Sequence, residues 1–336
     1  MSGTSMKKKS AELLPYFKKY GSNCMAYTSL EPDMEHFVLD GLGYIAYVSY
    51  KHWLWACKER KIVLADPVCA EGDFQKILTA FIKKHPDVIF VGVSTEPAKV
   101  LEKMGYMVNQ FGIETDILLK DFDLGGKKRA KLRQWRNKCE REAVVVREKP
   151  IAGCKNVEEI KELSKKWLQN KKGRRVEFLV RPLRFINEEG VRHFWAYQNE
   201  NLIAFAVFDP IYKNGEIVGY FHNMDRYEDD VPHGTSAYII LSAIEVFRKE
   251  GVQFVALGMS PLCLQRGMKN ELDNYHLPTR QSFWYAFDKL NFLYPFKGNA
   301  IHKNKFNGLQ KPIYISSTNG MGIKEVFIMI KAMGIF

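Results

Sequence analysis

A chain of 336 residues with 46% apolar and 26% charged side chains has the makeup of a folded protein about two domains long, which excludes a disordered polymer. No run of about 18 apolar residues occurs, so no transmembrane helix is expected. The cysteines Cys24, Cys57, Cys69, Cys139, Cys154 and Cys263 include no CxxC pair, which excludes a zinc ribbon and fits a reduced, cytoplasmic chain. A net charge of +12 fits either a basic soluble protein or one drawn to a polyanion, nucleic acid or anionic lipid.

In chain order, the opening MSGTSM before KKK reads as an expression scar, so that residues 1–19 hold a tag and the start of a helix over Ala11–Tyr20. Residues 20–124 alternate strands and helices. Gly43–Ser49 and Lys61–Ala65 have strand patterning, the second closed by Asp66-Pro67. Asp73 can cap a helix to Lys84 whose inner face carries Phe74, Ile77, Leu78 and Phe81. A buried strand over Val88–Val93, a helix over Pro97–Met104 ended by Gly105, and a strand over Thr115–Leu119 complete an α/β unit of about 100 residues.

Residues 125–146 break the pattern. GGKKRAKLRQWRNKCERE holds eight Lys or Arg in 18 residues, with Leu132, Trp135 and Cys139 at helical spacing. Such a helix buries one stripe and covers the rest with cations. It is either a solvated connector or an anion-facing helix whose arginines make bidentate phosphate contacts.

Residues 147–336 begin with a helix from Val157 to about Lys171 and a second basic run, Lys171-Lys172-Gly173-Arg174-Arg175. An apolar stretch over Glu177–Val180 and a helix over Asn187–Trp195 follow. Next, a strand over Leu202–Phe208 ends at Asp209-Pro210, and a second runs from Ile217 to Asn223. A polar loop (Asp225–Gly234), a helix of about 14 residues and a buried strand (Phe254–Leu257) complete a β-β-α-β unit, which runs out through Gly258-Met259-Ser260-Pro261. Residues 273–301 are aromatic-rich and ambiguous. His302-Lys303-Asn304-Lys305-Phe306 is a third basic cluster, Pro312–Ser316 a short strand, and Met321–Phe336 an apolar tail. That tail is a helix on the core or an amphipathic membrane-surface helix. The two halves share an element order, so the pattern describes a duplicated α/β unit with a basic helix between the copies.

Several of these blocks resemble one family. GKKRAKLRQWRNKCERE is similar to the linker motif in the catalytic domain of bacterial phosphatidylglycerol lysyltransferases, also called lysylphosphatidylglycerol synthases. VLADPV, NLIAFAVFDPIY, MDRYEDDVPHG, LGMSPL and LYPFKGNAIHKNKFNGLQKPIYIS follow that family's blocks in order, and the resemblance covers roughly residues 35–318. It implies a mixed α/β fold of two tandem acetyltransferase-like (GNAT) units. It also implies transfer of an aminoacyl group, lysyl or similar, from charged tRNA to the hydroxyl of phosphatidylglycerol or to another acceptor, with neither metal nor cofactor. Full-length members carry an integral-membrane half, and no such segment is expected within these 336 residues.

The resemblance further implies that Lys303 and Lys305 bind a phosphate or polarise the ester carbonyl; as an i, i+2 pair they share a face only in an extended segment. Arg226 falls on a family arginine. The family's aspartate aligns with Asn223, and Asp225 stands beside it as a substitute. Arg129, Arg133 and Arg136 of the basic helix, with Lys171 and Lys172, are candidates to hold tRNA phosphates. His233, before Gly234, lies where backbone amides can face an anion. Gly258 and Ser260 lie at the donor-side strand end, Ser260 as a turn or hydrogen-bonding residue. His222, His233, Asp229 and Asp230 match no standard metal spacing. The expected partners are aminoacyl-tRNA and an anionic membrane surface, met peripherally at the inner face. The competing readings are an N-acyltransferase using acetyl-CoA, for which Gln265-Arg266-Gly267-Met268 is a poor pyrophosphate loop, and a non-catalytic tRNA- or membrane-binding module.

Overall fold

The N-terminal half contains α1 (Gly3–Tyr20), β1 (Glu35–Leu39), β2 (Gly43–Tyr50), β3 (Arg60–Leu64), β4 (Val68–Cys69), α2 (Phe74–Lys84), β5 (Val88–Val93), α3 (Thr95–Lys103) and β6 (Met107–Leu118). After α4 (Ala130–Arg141) come β7 (Val144–Glu148), α5 (Val157–Asn170), β8 (Arg192–Gln198), β9 (Asn201–Lys213), β10 (Glu216–Tyr227), α6 (Thr235–Lys249), β11 (Phe254–Pro261), α7 (Leu277–Lys289), α8 (Phe296–Asn304) and β12 (Leu309–Ser317). The computed structural model describes residues 3–50, 59–151, 157–170, 181–264, 272–289 and 295–322. The 171–175 basic run, the 177–180 stretch, Gln265–Met268 and the tail from residue 323 lie outside them.

The strands form a single sheet in the order β1-β2-β3-β5-β12-β6-β11-β10-β9-β8-β7, with β4 pairing β2 off this path. Two pairs are parallel, β3 with β5 and β10 with β11. Each is joined through a helix, α2 or α6, because parallel neighbours need a crossover. The β-β-α-β unit is therefore present twice, and the fold is the mixed α/β, tandem acetyltransferase-like one. The sheet does not divide where the chain does. Strand β12, far along the C-terminal segment, runs antiparallel to both β5 and β6 and fills the gap between them.

Period-two alternation sends neighbouring side chains to opposite faces. In β2, Ile45 and Tyr47 join the core under α2 and α3, while Tyr44 and Ala46 join a central core that includes Leu13 of α1. In β8, Phe194 and Ala196 pack with α4 and α6, and Trp195 and Tyr197 with α5. That alternation corrects the expected helix over Asn187–Trp195: HFWAY is a two-faced strand of the sheet, because both of its faces are buried. Among the described residues no helix is long and apolar enough to cross a membrane.

Asp209-Pro210 does not end its strand. Pairing with β8 stops at Phe208 while pairing with β10 continues to Lys213, so Pro210 sits where one edge of β9 is open and a missing N–H is tolerated. Asp209 is fully buried and receives Arg181 in a bidentate pair at 2.8 and 3.0 Å. Arg181 also donates to Glu188 at 2.7 Å and to Glu31 of the N-terminal half at 3.2 Å, and Glu31 accepts from Arg184 at 2.5 Å. This network ties the two halves beneath the sheet. Replacing Asp209 with Ala leaves a buried guanidinium short of two bonds. The expected loss is about 3 kcal/mol, at the lower end for a broken buried pair because Glu31 and Glu188 remain; a urea unfolding midpoint shift measures it.

Candidate active site

Strands β10 and β11 pair only from Gly219↔Phe254 to Phe221↔Ala256. Both run on, β10 to Tyr227 and β11 to Pro261, so beyond those residues a wedge opens between them. Two local features produce it. On β11, a register shift against β6 falls between Ala256 and Met259, at Gly258 with φ +71°. A side chain there would be strained, and its Cβ would stand 2.5 Å from the Phe221 ring. On β10, a bulge between His222 and Met224 resets the alternation. His222 then packs on Phe208 of the α6-side core and Asp225 accepts a hydrogen bond from Ser236 of α6. Both therefore face the same side.

Helix α8 closes the wedge. Its Lys303 ammonium donates to the Met259 carbonyl at 2.7 Å, a backbone acceptor at the point where β10 has moved away. Burial pushes Lys303 down to about 8, against the pull of Cys24, Glu114 and Asp225. Burial likewise pushes His222 down to about 4, with Asp225 pulling it up and His302 and Lys303 pushing it further down. His302 is lowered by burial and by Lys303, opposed by Asp225. Near neutral pH the wedge thus holds an ammonium, the Asp225 carboxyl and two neutral imidazoles. Such a set can stabilise an oxyanion and accept a proton.

Trp135 of α4 supports this arrangement. Its indole stacks on His302 at 6.1 Å and meets His233 edge-on at 5.5 Å. It also lies against Gly234, whose φ is +103° and whose Cβ would come within 2.3 Å of the ring.

The remaining candidates divide. Ser260 is buried and donates to the Asn299 side chain at 3.1 Å, which ties β11 to α8. Asn223, the extra residue of the β10 bulge, is buried with neither end of its amide meeting a partner among the described residues. Arg226 is on the other face of β10, with Met224 in the α5 core and its guanidinium 5.5 Å from the Trp167 ring. It is separated from Asp225 by the strand itself. Lys305 caps the end of α8, and residues two apart on a helix do not face each other, so Lys303 alone of the pair enters the wedge. Lys171 and Lys172 lie outside the described residues. Among those described, no group of three His, Cys, Asp or Glu side chains could hold a metal.

The basic helix has a different division of labour from the one expected. Arg129 donates to the carbonyls of Phe306 at 3.2 Å and Asp123 at 3.0 Å, and Arg133 to those of Leu124 and Gly126. Arg136 lies 3.7 Å from Glu140. Arg129 fastens the linker to Phe306 just after α8, Arg133 fastens α4 to the loop before it, and the exposed cations are Lys127, Lys128, Lys131 and Arg141. Sequence reasoning missed Glu114, His222 and His302 as members of the cluster. The one available signal for Glu114 was a pair of acids, Glu114 and Asp116, inside the otherwise apolar FGIETDIL.

A splayed parallel pair in the second of two acetyltransferase-like units, entered by a lysine from a following helix, defines an acyltransferase-like architecture. Residues 15–316 match the family model described as phosphatidylglycerol lysyltransferase, C-terminal, and the chain belongs to that family. It is 23% identical over 336 residues to the phosphatidylglycerol lysyltransferase of Bacillus subtilis (strain 168); the match takes in 96% of this chain but 37% of that protein. Its fold is similar to that of L-PGS from Bacillus licheniformis (TM-score 0.76, 20% identity, 96% of each chain). It is also similar to the C-terminal domain of a putative lysylphosphatidylglycerol synthetase from Agrobacterium fabrum (TM-score 0.73, 17% identity, 97% of this chain and 96% of that one).

If Arg133 is a fastening rather than a phosphate ligand, Arg133→Ala lowers stability by about 1.5–3 kcal/mol, as for a charge-assisted bond. The salt slope of polyanion binding stays unchanged in that variant, whereas Lys128→Ala flattens the slope and leaves stability alone. Thermal unfolding and binding titrations at several salt concentrations separate the two.

Proposed function

We propose that this chain transfers an aminoacyl group from a charged tRNA to the hydroxyl of phosphatidylglycerol. Family membership supports the reaction class, and the observation that carries the residue assignment is the Lys303 ammonium held in the wedge beside Asp225. An aminoacyl-tRNA is already an activated ester, so the step needs neither nucleotide nor metal. The lipid hydroxyl oxygen attacks the ester carbonyl carbon, and the carbonyl oxygen becomes an oxyanion that Lys303 stabilises. Asp225, with His222 or His302, receives the hydroxyl proton and returns it to the ribose oxygen as that oxygen leaves. One ester C–O bond forms and one breaks, with no net change in protons or electrons.

The exposed lysines Lys127, Lys128 and Lys131, on α4 and just before it, are suited to tRNA phosphates. The lipid requires contact with an anionic membrane surface, for which the net charge of +12 is favourable. The same geometry disfavours acyl-CoA as donor. An incoming pyrophosphate would seek the first-turn amides of α6, and the Trp135 indole crowds the backbone at Gly234 just before that turn.

The test is incubation of the full chain with labelled lysyl-tRNA and phosphatidylglycerol vesicles, followed by lipid extraction. Label enters the lipid and RNase abolishes the transfer. Lys303→Ala and Asp225→Asn each reduce turnover by about 10²-fold or more while tRNA binding changes little, as expected for groups acting on the transition state. Equal losses in binding and turnover would instead indicate a binding module. Label remaining on tRNA, across a pool of aminoacyl-tRNAs, would discard the transfer reading.

A further inference from the structure

Glu114 sits at the seam between the halves, and none of the roles above uses it. Its register partner on one side is Met259 of β11 and on the other Lys311 of β12. Met259 is the residue whose carbonyl tethers the Lys303 ammonium, so Glu114 stands one rung across from the tether. The Cys24 thiol, from the loop after α1, is a neighbour of the Glu114 carboxyl. Asp116, two residues along, is neutralised by Lys311 at 2.6 Å. Asp66, after β3, is held by Ser94 N–H at 2.7 Å and Asn23 at 3.1 Å. The other titratable neighbours of Lys303 are Asp225 and His222 of β10 and His302 of α8. With Asp116 and Asp66 engaged elsewhere, Glu114 is, among the described residues, the N-terminal carboxyl that stands one rung from the Lys303 tether.

We infer that Glu114 is a positioning residue for Lys303, a carboxylate from the N-terminal half that keeps the ammonium of the C-terminal half charged and aimed into the wedge. The inference rests on the aminoacyl-transfer reading, in which the charged form of Lys303 stabilises the oxyanion. Glu114 itself is pushed up to about 7 by burial and by Asp116, with Cys24 and Lys311 opposing. Above that pH it is an anion and supports the charge on Lys303; below it the support fades. Replacing it with Gln removes the anion and keeps the shape. Lys303 then gives up its proton more readily, and its midpoint moves below about 8. A shift of one pH unit corresponds to a tenfold change in the protonation equilibrium.

The experiment follows reductive methylation of Lys303 by mass spectrometry across pH 6 to 10, using the full chain in wild-type, Glu114→Gln and Glu114→Asp forms. Glu114→Met replaces the Gln variant should that one not fold, as judged by circular dichroism. The uncharged variant should reach half-maximal labelling about one pH unit lower, with Asp staying close to wild type. In parallel, lysyl transfer by Glu114→Gln should match the wild type within about threefold at pH 6.5 and fall about tenfold below it at pH 8.5. An unmoved labelling midpoint, a drop in the Asp variant as large as in Gln, or a rate loss equal at every pH would each overturn the positioning role. A shifted midpoint in Glu114→Gln, alongside a wild type that transfers no aminoacyl group, keeps the positioning role and discards the transfer reading.

Discussion

The parting of β10 from β11 after Phe221 and Ala256 is the constraint on which the rest depends. Two parallel strands that separate inside a sheet expose backbone groups that must find other partners. On β11 the solution is a lysine from α8 bonded to the Met259 carbonyl, so a cation lies in a protein interior because the backbone there needs a donor. The left-handed Gly258 and the β10 bulge are the two local irregularities that hold the strands apart. Both break strand regularity at a cost in local stability, and both adjoin the same wedge.

Much of this architecture is legible in residue order. The β-β-α-β unit, the inward face of α2 and the buried Leu132, Trp135 and Cys139 stripe of α4 follow from local periodicity, which needs no knowledge of the rest of the chain. Misreadings arise where the deciding partner is remote. HFWAY looks helical until α5 and α6 cover its two faces, and Asp209-Pro210 looks like a strand end until β8 is seen to stop first. Arg129 and Arg133 look like phosphate ligands because composition does not reveal which carbonyls lie within reach of a side chain. Motif order brought Lys303, Asp225 and Asn223 forward, but strand parity and a bulge decide which of them face one another. Glu114 shows in the sequence only as an acid in an apolar strand, because its partners come from three other segments.

The charge distribution gives the two halves unequal parts. The exposed lysines of the linker helix face outward, while the carboxylates Asp66, Glu114 and Asp116 are drawn inward around the seam. A net charge of +12 therefore understates the contrast between surface and interior. An anionic partner is attracted over a long range by one set, and a cationic group inside is held by the other. Trp135 links these regions, since it belongs to the lysine-rich helix yet stacks on His302 beside the wedge.

The place of β12 also bears on how the molecule is made. During synthesis from the N-terminus, β5 and β6 emerge early but remain unjoined until residues 309–317 arrive to lie between them. The N-terminal unit therefore has no complete sheet of its own, and its middle is supplied by nearly the last strand described. Closing so long a loop is slow on entropic grounds. Until it closes, two unpaired strand edges are exposed, the condition in which nascent chains associate with one another. The step that removes those edges also brings Lys311 to Asp116 and sets α8, just upstream, over the wedge. Completion of the sheet and assembly of the site thus depend on the same late segment of the chain.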